Sequence, residues 1–496
     1  MKLIKHFING QDFEQHDRVL DVYNPAKGQV IAQVGLGNAN TVDEAVAKAK
    51  EAFKSWSKLS PLKRSRYLFK LVDILNKNKE LIAKTISEEH GKVFTDAMGE
   101  VQRGIEVAEF VCGIPSLLKG DFSQQIATDM DCYDIRQPLG VCAGITPFNF
   151  PFMVPFWMFP VAIACGNTFI IKPSEKDPSA TMLIAKFCKE AGIPDGVVNI
   201  VNGDKVVVDA ILQHKDIKAI SFVGSTPIAK YIYSQAAANG KRVQALAGAK
   251  NHCVVMPDAD FKTAVSGIMG AAYGSAGERC MAIPIVVAVG DETGDKLVEM
   301  ISQEIDKLKI APGDDLEAEM GPIVTKEHRD SIKRYIDIGE QEGATLVRDG
   351  RNFTVKGYEN GFFMGATLFD NVKPNMKIYQ EEIFGPVLGV VRVKTLQEAI
   401  DLTNAHNFAN GAVIYTSNGS AARKFTNEID AGMVGINVPI PVPLAFHSFG
   451  GNKDSLFGDT HIHGKEGVLF YTRLKTVTTR WADNYKVENA FIMPTM

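Results

Sequence analysis

Val141-Cys142-Ala143-Gly144-Ile145 is a short apolar run that stops at Thr146-Pro147, and its reading settles the fold class. Runs of the same Val- and Ile-rich texture follow at residues 168–171, 197–201 and 217–223. Helical patterns at 179–191, 205–213 and 228–238 separate most of them. Strands alternating with helices predict a parallel sheet covered on both faces. Ligands of such sheets sit at the carboxyl ends of the strands, which makes each strand-to-loop exit a place to look for chemistry.

A second alternating region runs from about 253 to 434, with strand patterns at 285–289, 387–391 and 411–415 and a helical pattern at 293–307. The fold class expected is therefore α/β, with two doubly wound lobes of similar size and a cleft between them. Upstream, Thr41 and Glu44 have capping-box spacing, and Val42, Ala45, Val46, Ala49, Phe53 and Trp56 fall on one helical face. Two more long helical patterns cover 61–90 and 93–118. No internal repeat or low-complexity tract interrupts the chain.

The 496 residues suggest two or three domains. A net charge of −4 gives no basic excess for phosphates, so no nucleic-acid partner is expected. The most apolar stretch, residues 150–165, is short and is broken by Pro151, Pro155 and Pro160, so no membrane insertion is expected. The first fifteen residues carry charges where a signal peptide needs an apolar core. Seven scattered cysteines form no CxxC pair, which predicts neither disulfides nor zinc and points to a reducing, cytoplasmic setting. His461 and His463 lack third and fourth ligands nearby, so no metal site is expected.

Four segments carry chemistry. In Gly274-Ser275-Ala276-Gly277-Glu278-Arg279-Cys280, small residues let the backbone approach a ligand and present one thiol. A nucleophilic cysteine adds to an aldehyde as a thiohemiacetal, which becomes a thioester on losing hydride. Arg279 next door would favour the thiolate. A cysteine taken alone is more often a small buried hydrophobe.

In Thr146-Pro147-Phe148-Asn149-Phe150-Pro151 the prolines stiffen a turn and aim the Asn149 amide, which can donate to an oxyanion or merely satisfy the turn. In Ile170-Ile171-Lys172-Pro173-Ser174-Glu175, Lys172 and Glu175 leave a strand where they can meet ribose hydroxyls. In Ser221-Phe222-Val223-Gly224-Ser225-Thr226, a strand enters a helix whose first N–H groups suit a pyrophosphate.

These segments in this order resemble the aldehyde dehydrogenase superfamily, as do Glu381-Glu382-Ile383-Phe384-Gly385-Pro386 and Ser448-Phe449-Gly450-Gly451-Asn452-Lys453. The likeness runs from about residue 5 to 480. It implies an aldehyde dehydrogenase-like fold with a Rossmann-like cofactor lobe, a catalytic lobe and a small β oligomerisation arm. The corresponding divisions are 1–119 with 139–252, 253–446, and 120–138 with 465–480, followed by a tail at 481–496.

The resemblance makes Cys280 the nucleophile and Asn149 the oxyanion donor. It assigns Thr146, Phe148, Lys172, Glu175, Lys176, Ser225 and Ala247 to the cofactor cleft, with Glu382 on the nicotinamide ribose and Phe384 against the nicotinamide. NAD is expected over NADP because Glu175 would repel a 2′-phosphate. Ala229 departs from the pattern, since many members have the last glycine of the phosphate turn there.

A more informative departure lies in Ala245-Leu246-Ala247-Gly248-Ala249-Lys250-Asn251. Hydrolytic members carry a glutamate at the place of Leu246, where it activates water to cleave the thioester. A leucine takes no proton, and a general base normally contributes about 10²–10⁴-fold.

A thiol acceptor such as coenzyme A then becomes the natural second substrate. The pattern resembles the CoA-acylating methylmalonate-semialdehyde dehydrogenases, also through Gln102-Arg103-Gly104-Ile105-Glu106 and Asn437-Val438-Pro439-Ile440-Pro441-Val442-Pro443. That likeness implies semialdehyde acids from valine, inositol or β-alanine breakdown, with Arg103 and Arg279 gripping the free carboxylate. It also implies a homodimer or homotetramer. Two rival expectations stand beside it: hydrolysis by some other base, and a silent scaffold that kept the fold.

Overall fold

The computed structural model describes residues 1–481, so the expected tail lies outside the described residues apart from Trp481. Eight strands form the first sheet in the order Leu456–Phe457, Arg242–Leu246, Ile217–Val223, Val141–Ile145, Thr168–Lys172, Val198–Ile200, His6–Ile8 and Gln11–Phe13. The five middle strands run parallel, and the chain adds antiparallel strands at both edges. Strand Val141–Ile145 is buried along its whole length, as a strand packed on both faces must be. Both its neighbours follow it in sequence, but the chain builds first to one side through Thr168–Lys172 and Val198–Ile200 and then crosses to Ile217–Val223 on the other, so the crevice where strand order reverses opens beside Thr146 and Gly224.

The second sheet has seven strands in the order Thr345–Arg348, Thr367–Asp370, Val387–Val393, Ile285–Val289, His252–Val255, Gly411–Tyr415 and Met433–Ile436. All but the first edge strand are parallel. Phe122–Ala127, Met130–Pro138 and Thr472–Arg480 form a separate antiparallel three-stranded ribbon. The α/β class, the two parallel sheets and the β arm match the expected architecture.

Differences from the expectation have local causes. The first helix, Ala39–Trp56, is capped by Asn38, whose side chain accepts from the Asn40 and Thr41 N–H groups. Thr41 therefore closes the reciprocal bond from the third helical position instead of opening the helix. The pattern at 61–90 is two helices, Pro61–Lys77 and Lys79–His90, because Asn78 leaves helical geometry at φ −112 and ψ 13.

Two strand pairings escape periodicity altogether. The N-terminal strands Arg18–Asn24 and Gln29–Leu36 pair antiparallel with each other. Leu456–Phe457 reaches back across the sequence to edge the first sheet beside Arg242–Leu246.

The helix Met153–Ala164 is buried at every position. Phe152, Phe156 and Phe159 are fully enclosed, with Phe156 tilted against Phe152 and edge-on to Phe159, so this aromatic run is core. It packs the first sheet against the helix Phe94–Val111 and leaves the preceding turn, residues 146–152, at the edge of the crevice.

Candidate active site

Cys280 ends a strained approach. Ser275, Ala276 and Gly277 all have positive φ, at 52, 51 and 72 degrees. Such backbone is costly for residues with a side chain and persists only where the surroundings hold it. A Cβ on Gly277 would lie 2.3 Å from the Gly385 carbonyl oxygen, so only glycine lets the two loops touch. The Cys280 carbonyl accepts from the amides of Asn251 at 3.0 Å and Asn410 at 3.2 Å. These bonds fix the half-buried thiol at the end of the loop.

Burial pushes this thiol up to about 12, and the nearby Glu382 carboxylate pushes the same way. Arg279 pulls downward but does not prevail. Arg279 thus acts in the direction expected of it, toward the thiolate, against the larger effect of burial. Its guanidinium turns to Asp96, 2.7 Å away, and to the Gly270 carbonyl.

Arg103 is engaged as well. It pairs with Glu106 at 2.8 Å and donates to the carbonyls of Val442 and Pro443, latching the proline-rich loop. Neither arginine stands free, as a simple carboxylate grip would require.

Asn149 lies in the turn between Val141–Ile145 and the helix Met153–Ala164. Its side-chain amide makes no hydrogen bond among the described residues, although the residue is 3% exposed. Its backbone carbonyl accepts from Lys92 Nζ at 2.8 Å. Lys92 in turn pairs with Glu100 at 2.6 Å, both side chains fully buried, and lies over the Phe150 ring. Glu100 Oε1 accepts from the N–H groups of Phe152 and Met153. One buried ion pair therefore grips the turn on both sides of Asn149.

Thr146, Lys172, Ser225 and Ala247 stand at or just beyond the carboxyl ends of four adjacent parallel strands. Lys172 and Glu175 pair at 2.9 Å where their strand ends. Burial opposes the Glu175 charge, but the Lys172 ammonium outweighs it and holds the carboxyl below its usual range. Lys176 lies 4.5 Å over the Phe148 ring, and Phe148 meets Phe384 edge-on at 5.9 Å. Phe384 has a φ of 58 degrees, and its carbonyl accepts from His328 Nε2 at 2.8 Å.

Ser225 precedes the helix Thr226–Ala238 without spending its hydroxyl on a cap, so hydroxyl and helix N–H groups both remain available. Ala229 is fully buried, and its methyl group packs in the apolar cluster beneath the helix. Ala247 is tied by its N–H to the Ser455 carbonyl, and Gly248 by its N–H to Thr226 Oγ1.

Buried Thr146 Oγ1 has no hydrogen-bond partner among the described residues. A buried orphan hydroxyl at the switch of strand order, an uncapped helix start and an aromatic wall fit a dinucleotide.

Leu246 closes its strand at 3% exposure, in the apolar cluster against which Cys280 packs. No proton acceptor stands at that position. The carboxylate expected on the nicotinamide ribose comes close to the sulfur instead. Glu382 and Cys280 line the same small cavity, with Gly277, Asn251 and Phe384.

Sequence reading also missed Lys92, Glu100, Asp96, His328 and the fully buried Glu278. Of these, only Glu278, two residues from the thiol, lay inside a motif that was already in view. His252 is a packed residue, with its ring nitrogens on the Lys250 carbonyl and the Tyr379 hydroxyl.

A cysteine on the loop that enters Ile285–Val289, a buried amide with no hydrogen bond among the described residues, and a dinucleotide crevice at the carboxyl ends of the first sheet's parallel strands are the features of an aldehyde-oxidising dehydrogenase. The chain belongs to the aldehyde dehydrogenase family, whose family pattern matches residues 12–477. It is 53% identical over 497 residues to a malonate-semialdehyde dehydrogenase of Pseudomonas aeruginosa, covering 100% of both chains. A malonate-semialdehyde dehydrogenase of Halalkalibacterium halodurans is 53% identical over 479 residues, 96% of this chain and 98% of the other.

Two solved structures superpose closely. A putative methylmalonate-semialdehyde dehydrogenase from Sinorhizobium meliloti, complexed with NAD, has a TM-score of 0.96 at 52% identity, covering 98% of this chain and 99% of that one. The methylmalonate-semialdehyde dehydrogenase of Oceanimonas doudoroffii has a TM-score of 0.97 at 55% identity with the same coverage.

Proposed function

We propose that this enzyme oxidises malonate semialdehyde and methylmalonate semialdehyde with NAD and passes the acyl group to coenzyme A, releasing CO2. The full-length relatives carry these substrates in their names. The observation that carries the acyl-transfer half is Leu246, an apolar wall where the water-activating glutamate of hydrolytic members would stand.

Cys280 Sγ adds to the aldehyde carbon, and the Asn149 amide with the Cys280 N–H holds the oxygen as it gains charge. Bound NAD supplies the acceptor for the hydride that leaves the aldehyde carbon. Thr146, Phe148, Lys172, Glu175, Lys176, Ser225, Ala247, Glu382 and Phe384 would hold it.

The thioester carbonyl on Cys280 then lies β to the substrate carboxylate. C–C cleavage delivers its electrons into that carbonyl, CO2 leaves, the same donors steady the enolate, and a solvent proton added at its carbon gives the propionyl or acetyl thioester. The side chains of Arg279 and Arg103 keep further N–H groups beyond those bonded to Asp96 and the proline-rich loop, and these can meet the substrate carboxylate. Coenzyme A takes the propionyl or acetyl group and frees the thiol.

The working form is proposed as a homodimer or homotetramer built through the β arm. That ribbon exposes Phe122 at 63% and Leu474 at 52%. Seven free cysteines and no helix long and apolar enough to cross a membrane among the described residues support a cytoplasmic setting.

The deciding experiment identifies products from methylmalonate semialdehyde and NAD with and without coenzyme A. Propionyl-CoA should form, with turnover falling at least about 100-fold when the thiol is withheld, in line with an absent water-activating base. Comparable turnover to free acid without coenzyme A would remove the acyl-transfer reading. A Cys280→Ala variant retaining activity would remove the thioester.

A further inference from the structure

The loop 247–251 leaves its strand immediately after Leu246 and does two jobs at once. Its Ala249 N–H donates to Glu382 Oε1 at 2.9 Å. Its Asn251 side chain donates to the carbonyls of Cys280 and Ala282. Between them Lys250 Nζ donates to the carbonyls of Ile378 and Glu381, pinning the backbone that presents Glu382. One short loop therefore fixes both the carboxylate and the thiol.

Glu382 is the only carboxylate lining the cavity that holds Cys280 among the described residues. Its Oε1 is occupied, whereas Oε2 makes no hydrogen bond to the described residues and lies over Gly248. A Cβ on Gly248 would sit 2.8 Å from Oε2, so glycine is what leaves that oxygen room.

We infer that Glu382 is the general base for acyl transfer, taking the proton of the incoming thiol through Oε2. The inference rests on the acyl-transfer reading and assigns it the residue that sequence comparison leaves vacant at Leu246. The cofactor ribose and the thiol use this carboxylate in turn: the first during oxidation, the second after the reduced cofactor has left.

In the step itself, Oε2 accepts the thiol proton as the acceptor sulfur bonds to the acyl carbon. The bond from that carbon to Cys280 Sγ breaks, and Cys280 leaves as a thiolate. The proton held on Glu382 then passes to Cys280 Sγ, which restores the resting thiol. No oxidant or further reactant is consumed. Burial raises Glu382 to about 7, close to working pH, where a base has both the right form and useful strength. Lys250, on the same loop, acts in the opposite direction, and Cys280 and Arg279 are the other titratable groups lining the cavity.

The test separates acyl transfer from oxidation. A p-nitrophenyl propionate burst acylates the full-length enzyme without NAD, and mass spectrometry locates the propionyl group. Its release is then timed with coenzyme A and with an aromatic thiol already ionised at pH 7. Only the acylated fraction in each trace is counted.

Glu382→Gln should slow release to coenzyme A by about 100-fold, within the range typical of a lost base, and release to the ionised thiol by less than threefold. A merely positioning role slows both equally, and that result overturns the inference, as does equal speed with both thiols.

Wild-type enzyme gives a second reading should the variant misfold. Release to coenzyme A should fall as pH drops through about 7, while release to the ionised thiol stays flat. A flat coenzyme A profile refutes the assignment. A propionyl group found away from Cys280, or equally fast release without thiol, condemns the acyl-transfer reading instead.

Discussion

At the scale of single residues, the acids around the thiol set the balance. Glu278 is fully buried, and burial raises its carboxyl to about 8; the Val324 N–H, Lys176 and Lys92 only partly offset it. Its folded pKa exceeds the unfolded one, so between about 4.5 and 8 the native state binds the extra proton. Stability therefore falls as pH rises through that window, the reverse of a salt-bridged carboxylate.

Glu278→Gln keeps the shape and cannot ionise. Its melting temperature should match wild type near pH 5 and exceed it at pH 8.5, where the wild-type penalty approaches roughly 4 kcal/mol. Melting curves for both proteins across pH 5–9 check this. A variant that tracks wild type at every pH would show that Glu278 never carries the penalty.

At the scale of elements, the turn bearing Asn149 is held by residues far away in sequence. Lys92 follows the helix Lys79–His90, and Glu100 lies within the helix Phe94–Val111. Their pair reaches the Asn149 carbonyl and the first N–H groups at the start of the helix Met153–Ala164. Removing one partner of a buried pair strands the other charge, at a typical cost of about 3–5 kcal/mol.

Lys92→Met should lower the melting temperature accordingly. It should also reduce kcat roughly 10- to 100-fold, less than the 10²–10³-fold typical when an oxyanion donor is deleted outright. The KM for NAD should move less than kcat, because Lys92 bonds the Asn149 carbonyl and neither Thr146 nor Phe148. Steady-state kinetics separates the two constants; a change confined to KM would place Lys92 in cofactor binding instead.

At the scale of the whole molecule, the two parallel sheets supply the crevice and the β arm supplies an edge. Thr472–Arg480 and Phe122–Ala127 flank Met130–Pro138, and their outer faces carry the exposed Leu474 and Phe122. Leu474→Asp should weaken assembly and shift sizing-column elution toward the monomer. Unchanged elution would place the subunit contact elsewhere.

The elements that periodicity located are those whose burial pattern is local. Val141–Ile145, Ile217–Val223, Ile285–Val289 and Gly411–Tyr415 fall on the expected residues because strands covered on both faces are largely apolar along their length, Lys218 at an exposed position being the charged exception. The chemistry-bearing loops were legible for a related reason: prolines, glycines and a lone thiol have few other uses in that order.

Tertiary structure alone decided which groups face one another. Nothing in sequence spacing joins Lys92 to Asn149, Arg279 to Asp96, or Glu382 to the cavity of Cys280. Hydrogen bonds and charge act across a few ångströms of space whatever the separation along the chain. A leucine in place of a base could thus be read from the sequence, while the carboxylate across the cavity needed the fold.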